Sequence, residues 1–446
     1  MISFDARLLG RLTGRFARGV LGTTLVATAA CGAPESALEP VSVVEEISPV
    51  GNPGAPVPAG GDGWSSVTVG INHSCALTTS GTAFCWGDAR SAQIGIAEAP
   101  DVCGPPAAPC ARRPVRVATT VRFAQLSAGG SHTCGLDAQG NAFCWGNNEF
   151  GQLGLASPRV AYEPVSVQGG HRFRDLSAGE HHTCGVRLDG AVLCWGRNEN
   201  GELGRGNFSA SAVPTAVAGL SGVQDISAGS SRTCAVTADG SYCWGRIWLY
   251  TQGGLEWSSR QVLPVRVPGS VKLRAVSVGS ISTCGVGEDG VAHCWEANGF
   301  GQLGNGGFTG TTNPSPVESA QSFSSISTGS IQTCGLASDG RAWCWGNNSF
   351  GQLGDYSIDS VCPPNGLVCA PRPNAVVGNL RFTSLATGLG NHVCGVTTLT
   401  NLYCWGLGAS GQLGDDDART VVRLAPEPVA ARMIDAADQR IAVRGE

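Results

Sequence analysis

The 446-residue sequence predicts an all-β fold, a seven-bladed β-propeller of four-stranded blades that follows a disordered N-terminal tether. Three observations support this prediction. A motif recurs seven times at a spacing near 50 residues, its strand segments are apolar on both faces, and 65 glycines interrupt every helix-like pattern. Charged residues make up only 14% of the chain, and no apolar run is as long as a membrane-spanning helix requires.

The repeated motif sets the number of blades. Each copy contains Ala-Gly-x-x-His-Thr-Cys, then Cys-Trp-Gly-x-Asn, then Gly-Gln-Leu-Gly, with variation from copy to copy. Successive Cys-Trp pairs are separated by 59, 50, 49, 51, 50 and 60 residues. A period near 50 residues in strand-rich units is typical of propellers, so seven copies predict seven blades.

Each repeat is predicted to form a meander of four strands. Residues 164–167 and 172–177 supply two of them, and residues 182–186 and 191–195 pair as a hairpin across an Asp-Gly turn. The hairpin strands carry apolar residues on both faces, and a sheet on its own would expose one of these faces. Radial stacking of neighbouring blades buries both.

The ring is predicted to close where the two ends of the repeat region meet. Residues 428–435, which follow the last Gly-Gln-Leu-Gly, are similar to the opening strands of a repeat, and we expect them to pair with the first blade. Residues 64–67 are also similar to an opening strand, so the sequence leaves open which terminus closes the ring.

Together these residues resemble the regulator of chromosome condensation repeat family, whose fold is a seven-bladed propeller. The resemblance covers residues 64–436 and rests on a long motif present seven times. It implies the fold. The recurring Gly, Trp and Gly-Gln-Leu-Gly residues carry no chemistry, so the resemblance does not determine a function.

The N-terminal segment is predicted to direct export. Four arginines precede a modestly apolar stretch, which is the layout of a secretory signal. The segment Ala-Thr-Ala-Ala-Cys at 27–31 resembles the lipobox of bacterial lipoproteins and implies lipidation of Cys31, with cleavage near Ala30 by signal peptidase as the alternative. The predicted domains are a signal peptide at 1–30, a Pro/Gly-rich linker at 31–63, the propeller at 64–436 and a C-terminal tail at 437–446.

The nineteen cysteines divide into nine pairs and Cys31. Two cysteines of each repeat fall opposite each other across its hairpin, within disulfide range, and two more pairs lie in the two longest connections. We predict structural disulfides of an exported protein, the alternative being reduced buried thiols in a cytosolic one. The predicted pairs are Cys75–Cys85, Cys103–Cys110, Cys134–Cys144, Cys184–Cys194, Cys234–Cys243, Cys284–Cys294, Cys334–Cys344, Cys362–Cys369 and Cys394–Cys404. The connections with Cys103–Cys110 and Cys362–Cys369 are either recognition loops or insertions protected from proteolysis.

The sequence contains no catalytic constellation, cofactor motif or metal-ligand spacing. The acidic run at 415–417 is either a solvated loop or a weak Ca²⁺ site. One repeat position holds histidine four times and three other residue types elsewhere, which indicates a structural role, with hydrogen bonds between blades. Its occupants are His73, His132, His182, Arg232, Ser282, Gln332 and His392.

One repeat departs from the motif in a way that suggests binding. After its Cys-Trp-Gly, the residues Arg-Ile-Trp-Leu-Tyr at 246–250 replace the usual polar turn. Aromatic residues on a propeller loop are typical of protein-binding hot spots, although packing on a neighbouring blade is the alternative. The candidate partner-binding residues are Ile247, Trp248, Leu249, Tyr250 and Trp257.

These features favour a non-enzymatic interaction scaffold, a monomer that uses its variable propeller-face loops to bind an unidentified protein. We expect a lipoprotein of the outer membrane or cell surface, attached only by its N-terminal lipid, or otherwise a periplasmic or secreted protein. The net charge of −5, or −8 outside residues 1–30, disfavours binding to nucleic acid. The family resemblance implies two alternatives, guanine-nucleotide exchange as in its eukaryotic namesake and inhibition of an extracellular enzyme.

Overall fold

The computed structural model describes residues 62–430, apart from 105, 252–253, 270, 364–365 and 419–420. These residues form seven antiparallel sheets and contain no helix, so the predicted seven-bladed β-propeller is confirmed. The predicted signal peptide, Cys31, almost all of the linker and the C-terminal tail lie outside the described residues.

Every blade is built from consecutive strands of one repeat. Blade 1 comprises β1 (Trp64–Val69), β2 (His73–Thr78), β3 (Ala83–Asp88), β4 (Asp101–Cys103) and β5 (Ala108–Arg116). Blade 2 comprises β6 (Phe123–Ala128), β7 (His132–Asp137), β8 (Ala142–Asn147) and β9 (Val160–Ser166). Blade 3 comprises β10 (Phe173–Ala178), β11 (His182–Arg187), β12 (Val192–Gly196) and β13 (Ser211–Ala216). Blades 4 and 5 comprise β14 (Val223–Ala228), β15 (Arg232–Thr237), β16 (Gly240–Thr251) and β17 (Gly254–Arg266); and β18 (Leu273–Val278), β19 (Ser282–Gly287), β20 (Ala292–Glu296) and β21 (Thr311–Pro316). Blades 6 and 7 comprise β22 (Phe323–Thr328), β23 (Gln332–Ala337), β24 (Ala342–Asn347), β25 (Val361–Cys362) and β26 (Leu367–Ala375); and β27 (Phe382–Thr387), β28 (His392–Thr397), β29 (Leu402–Leu407) and β30 (Val422–Pro428).

The first strand of each blade is the innermost, because the first strands of successive blades contact one another around the ring. The segment at 164–167 is therefore not an opening strand as predicted. It lies largely in β9, the outermost strand of blade 2, where Val165 pairs with Cys144 of β8. The prediction placed the blade boundary one strand too early. After the Gly-Gln-Leu-Gly turn the chain runs antiparallel to the preceding strand and pairs with it, so the next strand still belongs to the same blade.

Ring closure also differs from the prediction. The last strand, β30, pairs with β29 of its own blade, and β1 pairs with β2, so no strand is exchanged between blades 7 and 1 within the described residues. The predicted pairing of residues 428–435 with blade 1 is therefore wrong for residues 428–430, and the rest lie outside the described residues. Blade 7 instead meets blade 1 through packing and through hydrogen bonds such as Trp64 N to Thr400 O at 3.0 Å.

The hydrophobic core lies between blades. Its clusters combine residues of neighbouring blades, and the tryptophan of each Cys-Trp pair is buried in one of them. The middle strands of blade 1 are buried along their whole length, which matches the apolar character of both faces in the sequence. Packing both faces of each sheet against neighbours is what holds the ring together.

A second set of contacts joins the innermost strands. A hydroxyl on one blade accepts the backbone N–H of the next blade, at 2.8 to 3.0 Å. The hydroxyls belong to Thr68, Ser127, Ser177, Ser227, Ser277 and Ser327. Blade 7 has Ala386 at this position, so the junction with blade 1 closes without this contact.

The structure contains nine disulfides, between the cysteines paired above. Seven of them join directly opposed residues of the two middle strands of a blade, as Cys134 and Cys144 do in blade 2. The other two close the connections that add the short fifth strands β4 and β25 to blades 1 and 6.

Replacing both Cys134 and Cys144 with alanine is expected to lower the free energy of unfolding by about 2–3 kcal/mol, because the bond closes a loop of roughly ten residues in the unfolded chain. Urea denaturation of the oxidised protein measures the difference. The prediction fails if the wild type and the double variant unfold at the same urea concentration after full oxidation.

Candidate interaction surface

Blade 4 differs from the other blades at the turn between its last two strands. The strands β16 and β17 run on as a long hairpin where the other six blades have Gly-Gln-Leu-Gly or a close variant. Trp248 is opposite Trp257, and Tyr250 is opposite Leu255. The candidate binding residues are therefore brought together on one β-hairpin and not on an irregular loop, as expected for a run rich in aromatic and β-branched residues.

Arginine side chains stack on aromatic rings around the base of this hairpin. The guanidinium carbon of Arg246 is 5.1 Å from the centroid of the Trp248 ring. Arg260 lies 4.9 Å from the ring of Phe208, which belongs to blade 3. Such cation–π contacts stabilise exposed side chains by about 0.5–1 kcal/mol each and hold the rings in fixed positions.

The pKa of Arg246 depends on its burial and on the other charges at this surface. Burial lowers the pKa of Arg246, and the positive charges of Arg260 and Arg197 lower it further, while Glu202 and Glu199 oppose them. Among the described residues, Nε of Arg246 and Nε1 of Trp248 have no hydrogen-bond partner although both atoms are buried. The base of the hairpin therefore holds two buried donors beside a concentration of positive charge.

The surface continues onto blades 2 and 3. The Arg197 guanidinium lies 5.4 Å from the ring of Phe150, whose other neighbour, the His181 ring, is 5.2 Å away. Glu180 accepts a hydrogen bond from Ser230 of blade 4 and lies 3.4 Å from His181. Burial raises the pKa of Glu180, but the hydrogen bonds with His181 and Ser230 outweigh it and the pKa is lowered. We call these residues, with the hairpin, the blade 2–4 surface.

Comparison with protein families supports the reading of the repeats. A model of the regulator of chromosome condensation (RCC1) repeat matches residues 139–186 and 189–236, and a second model of that repeat matches 64–93, 123–152, 173–202 and 323–352. The chain belongs to the RCC1 repeat family. Together with the seven blades, these matches show that the family resemblance seen in the sequence is correct.

Known RCC1-repeat proteins match short parts of the chain. Probable E3 ubiquitin-protein ligase HERC4 of Rattus norvegicus is 34% identical over 96 residues, which are 22% of this chain and 8% of that protein. The ultraviolet-B receptor UVR8 of Arabidopsis thaliana is 32% identical over 91 residues, 20% of this chain and 19% of the receptor. The matches span only a small part of these relatives' length.

Solved structures match most of the chain in fold. Prp20p from Saccharomyces cerevisiae, whose binding to Gsp1p and histones is described with its structure, has a TM-score of 0.66 at 19% identity, covering 79% of this chain and 87% of Prp20p. Human WBSCR16 has a TM-score of 0.64 at 19% identity, covering 79% of this chain and 96% of that one. At such identities the likeness shows the RCC1 fold and nothing more.

The histidine position of the RCC1 repeat has the structural role that the sequence indicated. His73 Nε2 lies 2.9 Å from Thr133 Oγ1 of the next blade, and the same contact joins blades 2 to 3, 3 to 4 and 7 to 1. The Thr133 hydroxyl donates its own hydrogen to Gln93 O, so it accepts from the imidazole. Because Nδ1 of all four histidines is buried and has no partner among the described residues, a second ring proton would find no acceptor.

The remaining candidates from the sequence are not brought together into a site. Asp415 and Asp417 both face Arg423, and Asp416 lies 3.3 Å from Arg113. Within the described ranges, no group of three or more His, Cys, Asp or Glu side chains is arranged to hold a metal ion. The same ranges hold no helix with the length and apolarity needed to cross a membrane.

The two disulfide-closed connections pack on the turns of preceding blades. Cys362 Sγ lies 3.9 Å from Phe300 O in the turn of blade 5. In blade 1, Gly104 lies beside Ala409 in the turn of blade 7. Both connections therefore brace neighbouring blades.

Sequence reasoning missed two groups at these sites. Phe150, Arg197 and Phe208 join the hairpin only because blades 2, 3 and 4 are adjacent in the ring. The second is Glu296, which replaces the glycine of Cys-Trp-Gly in blade 5 and was visible as the one exception among seven copies.

The histidines give an expected pH dependence. Burial lowers the pKa of His132 from 6.5 to about 3, with further lowering by the charges of His181, His73 and His182. Between pH 6.5 and pH 3 this histidine takes up a proton in the unfolded chain but not in the folded one. Its contribution to the free energy of unfolding is therefore complete above pH 6.5 and is lost as the pH falls toward 3. Between about pH 7.5 and about pH 5, each such histidine lowers the free energy of unfolding by about 2 kcal/mol.

In a His132→Gln variant, the fall in the free energy of unfolding between these two pH values should be smaller by the contribution of one histidine. Urea denaturation at both pH values measures the difference. Glutamine suits the niche, because Gln332 occupies it in blade 6 and donates to Gly390 O at 3.0 Å. Burial raises the pKa values of Asp225 and Glu296 to about 7, so they also titrate in this range. Both residues are present in the wild type and the variant, so their contributions cancel from the difference between the two proteins. An equal fall in both proteins would contradict the prediction.

Proposed function

We propose that this protein is a non-enzymatic scaffold that binds another protein through the blade 2–4 surface, with the blade 4 hairpin as the main contact. The observation that carries the proposal is the exchange of a repeated structural turn for a hairpin rich in tryptophan. Aromatic and arginine side chains dominate the binding energy of protein interfaces, and this surface concentrates both.

The RCC1 family supports a binding role and leaves the partner open. Prp20p is described as binding Gsp1p and histones, which makes a protein partner reasonable for a propeller of this fold. Guanine-nucleotide exchange and inhibition of an extracellular enzyme are both forms of such binding. The ligase activity in the name of HERC4 is a property of a protein of which this chain matches 8%.

A pull-down from extracellular and envelope proteins tests the surface. Trp248→Ala combined with Tyr250→Ala is expected to reduce recovery of the partner at least tenfold, because truncating two hot-spot aromatics typically costs about 2 kcal/mol or more each. Tyr162→Ala combined with Tyr356→Ala removes two exposed tyrosines elsewhere on the ring and serves as the matched control. Unchanged recovery by the Trp248/Tyr250 variant would remove the hairpin from the proposal.

We further propose that the protein is exported and anchored by a lipid on Cys31. Eighteen cysteines are paired in disulfides, as is typical of proteins in oxidising compartments, and Cys31 is the one left over. The lipobox-like sequence before Cys31 supplies the second argument.

Mass spectrometry of the mature protein is expected to find Cys31 as a lipid-modified first residue, in the membrane fraction. A Cys31→Ser variant should appear in the soluble fraction with its disulfides intact. A mature N-terminus that retains residues 1–30, or free thiols throughout the ring, would contradict export.

A further inference from the structure

Six of the seven blade junctions use the same acceptor. The main-chain carbonyl of the Gln in Gly-Gln-Leu-Gly accepts the indole N–H of the next blade's tryptophan, at 2.7 to 3.1 Å. At five of these junctions it also accepts a hydroxyl, as Gln93 O does from Thr133 at 2.9 Å. The six acceptors are Gln93, Gln152, Glu202, Gln302, Gln352 and Gln412.

Close contacts explain why the residue after Cys-Trp is glycine. A Cβ on Gly146 would lie 2.7 Å from Ser131 O and 2.8 Å from His132 Cα of its own blade, and 3.2 Å from the Cα of Gln93 in the preceding turn. Gly346 stands in the same relation to Gln302, at 3.3 Å. The φ angles of these two glycines, 101° and 100°, also favour glycine. The backbone of the same blade and the turn of the blade before it therefore both crowd this position.

The junction of blades 4 and 5 has no such turn, and two residues differ there. Glu296 takes the place of the glycine with a φ of 83°, and Arg232 takes the place of the histidine in blade 4. Arg232 Nη2 lies 2.5 Å from Glu296 Oε2, and the two side chains are only 2% and 4% exposed. Thr283 Oγ1 donates to the same carboxylate at 3.0 Å, the hydroxyl that would otherwise bond the missing carbonyl.

We propose that the Arg232–Glu296 ion pair replaces the missing turn of blade 4, and that residues 248–258 of the hairpin are thereby released from holding the ring. The carboxylate accepts the hydroxyl hydrogen bond that the main-chain carbonyl of the turn accepts at other junctions. Arginine replaces histidine because a buried carboxylate needs a charged partner. The inference goes beyond the proposed function and stands whether or not the hairpin binds a partner.

The base of the hairpin is not part of the released segment. Val262 O accepts the N–H of Gly206 at 2.8 Å, and Arg260 Nη1 donates to Glu199 O at 3.1 Å, so the outer strand is held on blade 3. Ile247 pairs with Ser259, and the register shifts immediately beyond this pair. The pair marks the point at which the hairpin can be shortened.

The first experiment compares two variants of the full chain by thermal unfolding. Replacing residues 248–258 with Asn-Gly is expected to change the midpoint by less than about 2 °C, whereas Glu296→Gln should lower it by about 5 °C or more, because it leaves Arg232 buried without a counter-charge. A large loss on shortening, or none with Glu296→Gln, overturns the inference. If shortening is harmless and pull-down recovery is also unchanged, only the proposed function fails.

The second experiment restores the turn. In blade 5, residues 297–310 connect the paired residues Glu296 and Thr311. In blade 4, residues 246–260 connect the equivalent pair, Gly245 and Gln261. Residues 297–310 can therefore be grafted in place of residues 246–260. Glu296→Gly with Arg232→His should lower the midpoint in the wild-type chain and raise it in the grafted chain. The same sign in both backgrounds overturns the inference.

A control places the ion pair where a turn is present. His73→Arg with Gly146→Glu creates the same two residues at the junction of blades 1 and 2, which retains Gln93 and its turn 3.2 Å from a Cβ on residue 146. We expect this variant to unfold at a lower temperature than the wild type, or not to fold. A wild-type midpoint would show that the pair fits any junction and would overturn the argument from space.

Discussion

The contact between neighbouring blades is the constraint on which the rest of this structure depends. Each sheet is apolar on both faces, so no blade can bury its surface without a neighbour on either side. The tryptophan of each Cys-Trp pair fills the gap, and at six junctions its indole N–H bonds the turn of the blade before it. Within the described residues closure needs no exchanged strand, because the junction of blades 7 and 1 keeps the histidine–hydroxyl and tryptophan–turn contacts.

Two departures from the repeat are matched across a blade junction. Blade 7 has Val393 where other blades have a hydroxyl, and the facing position holds Gln332, which reaches the main chain instead of a side chain. Blade 4 has no turn, and the facing positions hold Arg232 and Glu296. A buried polar group that loses its partner is costly, and at these two junctions the change on one side is compensated by a change on the other.

The ring is thus uniform in its core and uneven on its surface. Blades 2 to 4 carry three arginine–aromatic contacts and the long hairpin, whereas the disulfide-closed connections brace blades 1 and 6. Binding residues on a rigid scaffold lose little entropy on association, and nine disulfides make this scaffold rigid.

The sequence by itself determined the number of blades, because the motif recurs seven times along the chain. It also determined the hairpins and the cysteine partners, because these involve residues about ten apart within one repeat. Only the tertiary structure decided which strand is outermost, how the ring closes and what surrounds the hairpin. The order of the strands depends on which strands pair by hydrogen bonds. A periodic sequence pattern does not show at which strand a blade begins, so it leaves this order ambiguous by one strand. Arg232 and Glu296 are 64 residues apart and meet only because blades 4 and 5 stack, so no local pattern could pair them.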